Sequence, residues 1–203
     1  MKNKFIWKEC RTLYREERLS RHGSETRWIL NQEMIENSAT AEIVTRGTIR
    51  HPGISVIIPV LEDGRILLMH QFRYAAGELL WELPAGTLIG REENGRFIPT
   101  EGPIDCARRE LAEETGYEAT ILKQIGKCYA MPGTSDEVIH FFVATELTAG
   151  EQSLDIGEVI DELRAFTIDD LKRMISEGVI RDAKTIIGLL LFAGYSDNAI
   201  ANR

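Results

Sequence analysis

Cysteine is scarce in this chain: Cys10, Cys106 and Cys128 are odd in number, far apart and outside any C-x-x-C pattern. That excludes a disulfide framework and offers no zinc-binding spacing, so reduced thiols and a cytoplasmic setting are expected. Proline is also sparse, 6 in 203 residues, and there is no internal repeat or low-complexity tract, which excludes a disordered or fibrous chain. Long apolar runs are missing. The opening stretch MKNKFIWKECRTLYREER is broken by charge every few residues and contains nothing as long as a signal peptide or a membrane span, so no membrane partner is expected. Basic residues are in deficit, 24 against 32 acidic, for a formal charge of −8. This argues against a nonspecific nucleic-acid binder. A few arginines and a metal ion gathered in one pocket can nevertheless hold a small phosphate compound.

What remains is the composition of a globular protein, 43% apolar and 28% charged, with length for one domain or one domain plus an appendage. Residues 1–48 read as a β-rich appendage: Trp28-Ile29-Leu30, a polar turn at Glu36-Asn37-Ser38, then Ala41 to Thr45. Residues 49–203 read as the main domain. Its first apolar runs, Ile54 to Leu61 and Ile66 to Met69, flank Glu62-Asp63-Gly64, a pairing that predicts a tight hairpin of strands covered on both faces. Residues 103–115 have helical spacing, with Pro103 suited to the first turn and Gly116 to a left-handed stop. Strands follow at Ile121 to Ala130, Val138 to Thr145 and Glu162 to Phe166. Thr167 opens a helix that ends near Gly178, and a last helix runs from Asp182 to Ala193. Strands on both sides of one helix, with helices closing the chain, predict a mixed β-sheet between helical layers in an α/β fold.

On the 103–115 helix, Glu110, Glu113 and Glu114 stand at i, i+3 and i+4 and share one face, beside an apolar stripe of Ile104, Ala107 and Leu111. Like charges at this spacing repel unless something positive lies over them. An acidic helix face is ordinarily just solvated. Three convergent glutamates, however, also suit Mg²⁺, with Mn²⁺ as a substitute, because this hard cation takes oxygen ligands and bridges carboxylates to substrate phosphates.

The residues around the glutamates decide between these readings. Glu101-x7-Arg109-Glu110-Leu111-x-Glu113-Glu114-x-Gly116-Tyr117 resembles the Nudix box, G-x5-E-x7-R-E-U-x-E-E-x-G-U, at all eight positions from Glu101 onward. The opening glycine departs from the pattern. Glu82-Leu83-Pro84-Ala85-Gly86 resembles the segment whose glycine opens the box in members that cleave ADP-ribose, but fourteen residues separate Gly86 from Glu101. Gly95 meets the spacing formally, so either glycine could be the counterpart, and Leu88 to Thr100 reads as an inserted surface loop.

The resemblance implies a Nudix α/β/α sandwich and hydrolysis of a nucleoside diphosphate linked to another group. It implies metal ligands at Glu110, Glu113, Glu114 and the Ala85 carbonyl, with Arg109 and Glu101 orienting them. Met131-Pro132-Gly133-Thr134-Ser135-Asp136-Glu137 places a proline sixteen residues beyond Gly116, as ADP-ribose pyrophosphatases commonly do. The following acidic residue, Glu137 first and Asp136 second, would help activate water, although a plain Pro-Gly turn has the same composition.

Arg73 would bind phosphate near Glu82, and Trp28 would stack on a base; a surface ion pair and simple packing are the bland alternatives. The N-terminal segment resembles the part that such enzymes share across a homodimer. The implied reaction converts ADP-ribose to AMP and ribose 5-phosphate. A GDP-mannose or broad nucleotide-sugar hydrolase is the runner-up. A noncatalytic nucleotide-sensing module belongs to a different class, and the intact glutamate set argues against it.

Overall fold

A computed structural model describes residues 5–20, 23–154 and 159–201. In chain order the strands begin with β1 (Phe5–Ser20), β2 (Gly23–Asn37), β3 (Ile43–Arg50), β4 (Ile54–Pro59), β5 (Ile66–Arg73), β6 (Glu78–Glu82), β7 (Ala85–Thr87), β8 (Gly90–Glu93) and β9 (Arg96–Pro99). Helix α1 (Pro103–Thr115) leads to β10 (Tyr117–Tyr129), β11 (Val138–Ala149) and β12 (Ile160–Phe166), and α2 (Ile168–Ser176) and α3 (Ala183–Ala201) close the chain. Among the described residues no helix is long and apolar enough to cross a membrane.

Two compact units result. The first gathers residues 1–53, 87–101 and 129–138, the second residues 54–86, 102–128 and 139–203. In the first, β1, β2 and β3 form an antiparallel sheet in that order. Asn37 makes the turn to β3: its carbonyl accepts from the Ala41 amide at 2.8 Å and its side-chain oxygen from the Ala39 amide at 2.9 Å. The sequence shows no period-2 signal for β1, because both of its faces are largely exposed and charged residues fall on each. Residues 88–100, expected to be a loop, instead carry the antiparallel hairpin β8–β9. Asn94 and Gly95 turn it with φ of 52° and 76°, the two successive positive angles of a twist-matched hairpin.

In the second unit β10, β11, β4 and β7 form one sheet, with β11 and β4 parallel. Ile57, Phe142 and Ala144 pack under Ala107 and Leu111 of α1. Phe141, the next residue along β11, points to the opposite face and lies beside Gly188 of α3. Helices therefore cover both faces, as an α/β/α sandwich requires, and β4 is buried from Ser55 to Pro59, with Ser55 its one polar side chain. The expected β4–β5 hairpin is corrected in part. Its turn forms, with Gly64 at φ 81° and the Leu61 amide donating to the Arg65 carbonyl. The strands then diverge: beyond a single bridge from Val60 to Ile66, β5 pairs antiparallel with β6 and β12 in a separate sheet. The buried runs, residues 55–59 of β4 and 66–69 of β5, are covered on both faces, which lets each strand find other partners.

Candidate active site

Helix α1 starts at Pro103 and stops where Gly116 takes φ 74° and returns its amide to the Ala112 carbonyl. Ala107 and Leu111 of its apolar stripe are fully buried while Ile104 is exposed, and the adjacent stripe comes to rest at the edge of the core: Glu110 is 8% exposed and Glu114 2%. Buried carboxylates need partners. The Ala85 amide donates to Glu114 Oε2 at 2.8 Å. Arg109 Nη1 donates to Glu110 Oε1 at 2.6 Å and to Glu113 Oε2 at 3.1 Å. A positive group thus lies over the glutamates, and it comes from the same helix.

A Cβ built on Gly86 would fall 1.7 Å from the Glu110 carboxyl carbon. Only glycine lets the chain pass so close, and the passage brings the Ala85–Gly86 backbone beside two buried carboxylates. Gly95 is occupied with its hairpin turn, so Gly86 has the environment expected of the glycine that opens the motif. Among the described residues no three His, Cys, Asp or Glu side chains are already drawn together at metal-cluster spacing. The donors themselves are carboxylate and carbonyl oxygens, which fit a hard divalent cation in type and in shared face.

Arg73 donates through Nε and Nη2 to the two oxygens of Glu82, at 2.8 and 2.7 Å. Lys184 Nζ reaches Glu82 Oε2 at 2.6 Å and Asp182 Oδ1 at 2.8 Å. Burial opposes charge on Glu82, but the Arg73 hydrogen bonds and the neighbouring Lys184 outweigh it and hold the carboxyl below its usual range. Glu82 therefore anchors Arg73. Lys184 had no signal in the sequence, since it lies 102 positions from its partner.

The remaining candidates belong to the first unit. Glu101 Oε2 accepts from the Ile89 amide at 3.0 Å. Trp28 is half-buried and tilted against Tyr14, with ring centroids 5.3 Å apart. Asp136 is engaged by Arg50 Nη1 at 3.0 Å and by the His51 amide at 2.9 Å. Arg50 is held in turn by the buried Glu33, to which Trp7 Nε1 also donates, at 3.0 Å. Trp7, Glu33, Arg50, Tyr129, Pro132 and Asp136 help to line a cavity of about 430 Å³. The sequence reading missed Trp7, Glu33 and Arg50 there. Glu137 is half-buried, with its amide donating to Ser135 Oγ at 3.1 Å and its carboxylate 4.0 Å from His51 Nδ1. Burial, reinforced by Arg27 and opposed by Asp136, lowers the His51 pKa to about 4. Its Nδ1 accepts from the Gly53 amide at 3.1 Å, so the imidazole is neutral near pH 7 and the approach to Glu137 is no ion pair.

The NUDIX domain model matches residues 49–187. The chain belongs to the Nudix family. Three relatives place this Nudix chain more closely. It is 35% identical over 141 residues to an ADP-ribose pyrophosphatase of Bacillus subtilis (strain 168), an alignment that spans 69% of this chain and 71% of the relative. It is 36% identical over 146 residues to a methanol dehydrogenase activator of Bacillus methanolicus, with 71% and 74% covered. It is 31% identical over 172 residues to a GDP-mannose pyrophosphatase of Yersinia enterocolitica, with 79% and 83% covered. The Nudix fold is matched by a crystal structure of an ADP compounds hydrolase, at a TM-score of 0.73 and 18% identity over 97% of this chain and 96% of the other. These likenesses put the chain in the nucleotide-sugar pyrophosphatase branch of the Nudix hydrolases.

Proposed function

We propose that this Nudix pyrophosphohydrolase cleaves the pyrophosphate bond of ADP-ribose, releasing AMP and ribose 5-phosphate, with Mg²⁺ held by Glu110, Glu113, Glu114 and the Ala85 carbonyl. The observation that carries the reading is the side-chain-free approach of Gly86 to Glu110, next to the Ala85–Glu114 hydrogen bond. When bound, the cation would neutralise the diphosphate and acidify a water. Arg109 steadies Glu110 and Glu113, while Arg73, fixed by Glu82, presents a guanidinium suited to a phosphate oxygen. Glu137, beside a neutral His51, is the proposed base, and Glu101 an orienting group. Trp28, Pro132 and Asp136 are proposed to contact the nucleoside end.

The name of the Bacillus subtilis relative supports ADP-ribose, and that of the Yersinia relative supports GDP-mannose as the second reading. A homodimer through residues 1–48 is also proposed, supported by Phe5, Ile6, Trp7, Leu13 and Tyr14, apolar side chains of β1 that are each 45–51% exposed. The three free thiols are compatible with a cytoplasmic setting.

The test is AMP release from ADP-ribose with and without Mg²⁺, beside GDP-mannose. Mg²⁺-dependent release that favours ADP-ribose is expected. A preference for GDP-mannose by more than about tenfold, some 1.4 kcal/mol, would transfer the assignment to the second reading. Tight ADP-ribose binding without turnover in saturating Mg²⁺ or Mn²⁺ would mark a nucleotide-sensing module instead.

A further inference from the structure

The five residues from Glu82 to Gly86 are each held in place. Glu82 is gripped by Arg73 and Lys184, and the Pro84 carbonyl accepts from the Ile57 amide at 2.8 Å. The Ala85 amide donates to Glu114, and Cys106 Sγ lies 3.5 Å from the Gly86 carbonyl. Leu83, like Glu82, is held from the start of α3. Its amide donates to Thr185 Oγ1 at 2.9 Å, a residue 102 positions away and fully buried. Thr185 passes the bond on: its hydroxyl donates to Asp182 Oδ2 at 2.6 Å, and its amide donates to the same oxygen at 2.9 Å. Lys184, one residue earlier, joins Asp182 Oδ1 to Glu82 Oε2. The opening turn of α3 is thus fastened twice to the segment that runs into Ala85.

We propose that Thr185 and Lys184 are positioning residues for hydrolysis, setting the Glu82–Gly86 segment so that the Ala85 carbonyl stands with Glu110 and Glu114 as cation donors, a role that rests on the ligand set proposed above. The physical reason is the lack of slack. A buried network with every member paired resists displacement, and loss of the Thr185 hydroxyl would leave the Leu83 amide without its partner in the core and remove one of the donors to Asp182. The segment would settle elsewhere, and Ala85 is two residues from the lost bond. Loss of a group that holds a metal ligand in place typically costs about 10–100-fold in metal affinity.

Mn²⁺ binding to the full-length protein, read by water-proton relaxation in the absence of nucleotide, tests this directly. Thr185→Val keeps the shape and removes the hydroxyl; it is expected to weaken Mn²⁺ binding by roughly 10–100-fold, and Thr185→Ser is expected to restore it. Lys184→Met, which preserves the aliphatic stem and perturbs the core less, is expected to weaken binding several-fold and covers the case in which Thr185→Val fails to fold. A merely structural role would lower the melting temperature and leave Mn²⁺ affinity alone, and wild-type affinity in folded Thr185→Val or in Lys184→Met would overturn the proposal. Absence of Mn²⁺ binding by the wild-type protein would overturn the ligand set and the positioning role together, a result distinct from unchanged affinity in the variants.

Discussion

Gly86 and His51 show how much individual residues decide here. Alanine at position 86 would place its Cβ 1.7 Å from the Glu110 carboxyl carbon, so either the carboxylate or the strand must move. Gly86→Ala is expected to cost roughly 1–3 kcal/mol by overpacking and to raise the Mg²⁺ concentration needed for half-maximal turnover by roughly 10–100-fold. A metal titration of activity beside a thermal melt checks both; wild-type behaviour in each would mean that the close approach is not required.

His51 governs acid behaviour. Its pKa falls from 6.5 to about 4 on folding, so between those values the unfolded chain binds the proton and the folded chain does not. Stability then rises with pH across the window, and acidification from 6.5 to 4 should remove stability on the order of 3 kcal/mol at about 1.4 kcal/mol per pKa unit. His51→Asn keeps an acceptor for the Gly53 amide and has no proton to bind. Urea melts of the two proteins at pH 7, 5.5 and 4.5 should show a shallower pH dependence for the variant, whereas equal slopes would refute the burial argument. Glu33 and Glu82, whose carboxyls are held below the usual range, add losses that begin as pH falls through the ordinary carboxylate value of 4.5.

At the scale of elements, α1 and the β8–β9 hairpin contrast in legibility. Helix α1 could be read residue by residue, because Pro103, the apolar stripe, the glutamates at i, i+3 and i+4, and Gly116 are all local signals. The hairpin was missed although Asn94-Gly95 is a strong turn pair, since its strands are only four residues each and largely exposed. What it packs on could not be read from neighbours in sequence: Asn31 Nδ2 donates to the Gly95 carbonyl at 2.9 Å, across 64 positions. Gly95 has φ 76°, and an added Cβ would lie 3.0 Å from Cys10 Sγ and 3.2 Å from Asn31 Nδ2. Gly95→Ala should therefore destabilise by about 1–3 kcal/mol, seen as a lower melting temperature. An unchanged melt would show that the hairpin tolerates another turn.

For the whole molecule, the exposed apolar residues of β1 carry the dimer proposal. Replacing both Leu13 and Tyr14 with aspartate should convert a dimer to a monomer in light-scattering chromatography, because desolvating two added carboxylates at an interface is unfavourable. A wild-type monomer would end that proposal.

By itself the sequence determined the chemistry-bearing helix and the family, because a helix brings residues three and four apart onto one face and eight positions of the motif fall within seventeen consecutive residues, Glu101 to Tyr117, while the nearby segments Glu82 to Gly86 and Met131 to Glu137 pointed to the branch. Only the tertiary structure decided which glycine lies against Glu110, that β4 and β5 part into different sheets, and that Glu33, Arg50 and Asp136 form one network as Glu82, Arg73 and Lys184 form another. These depend on contacts between residues up to 102 positions apart, and such contacts are selected by burial and hydrogen-bond pairing of the folded chain rather than by any local period.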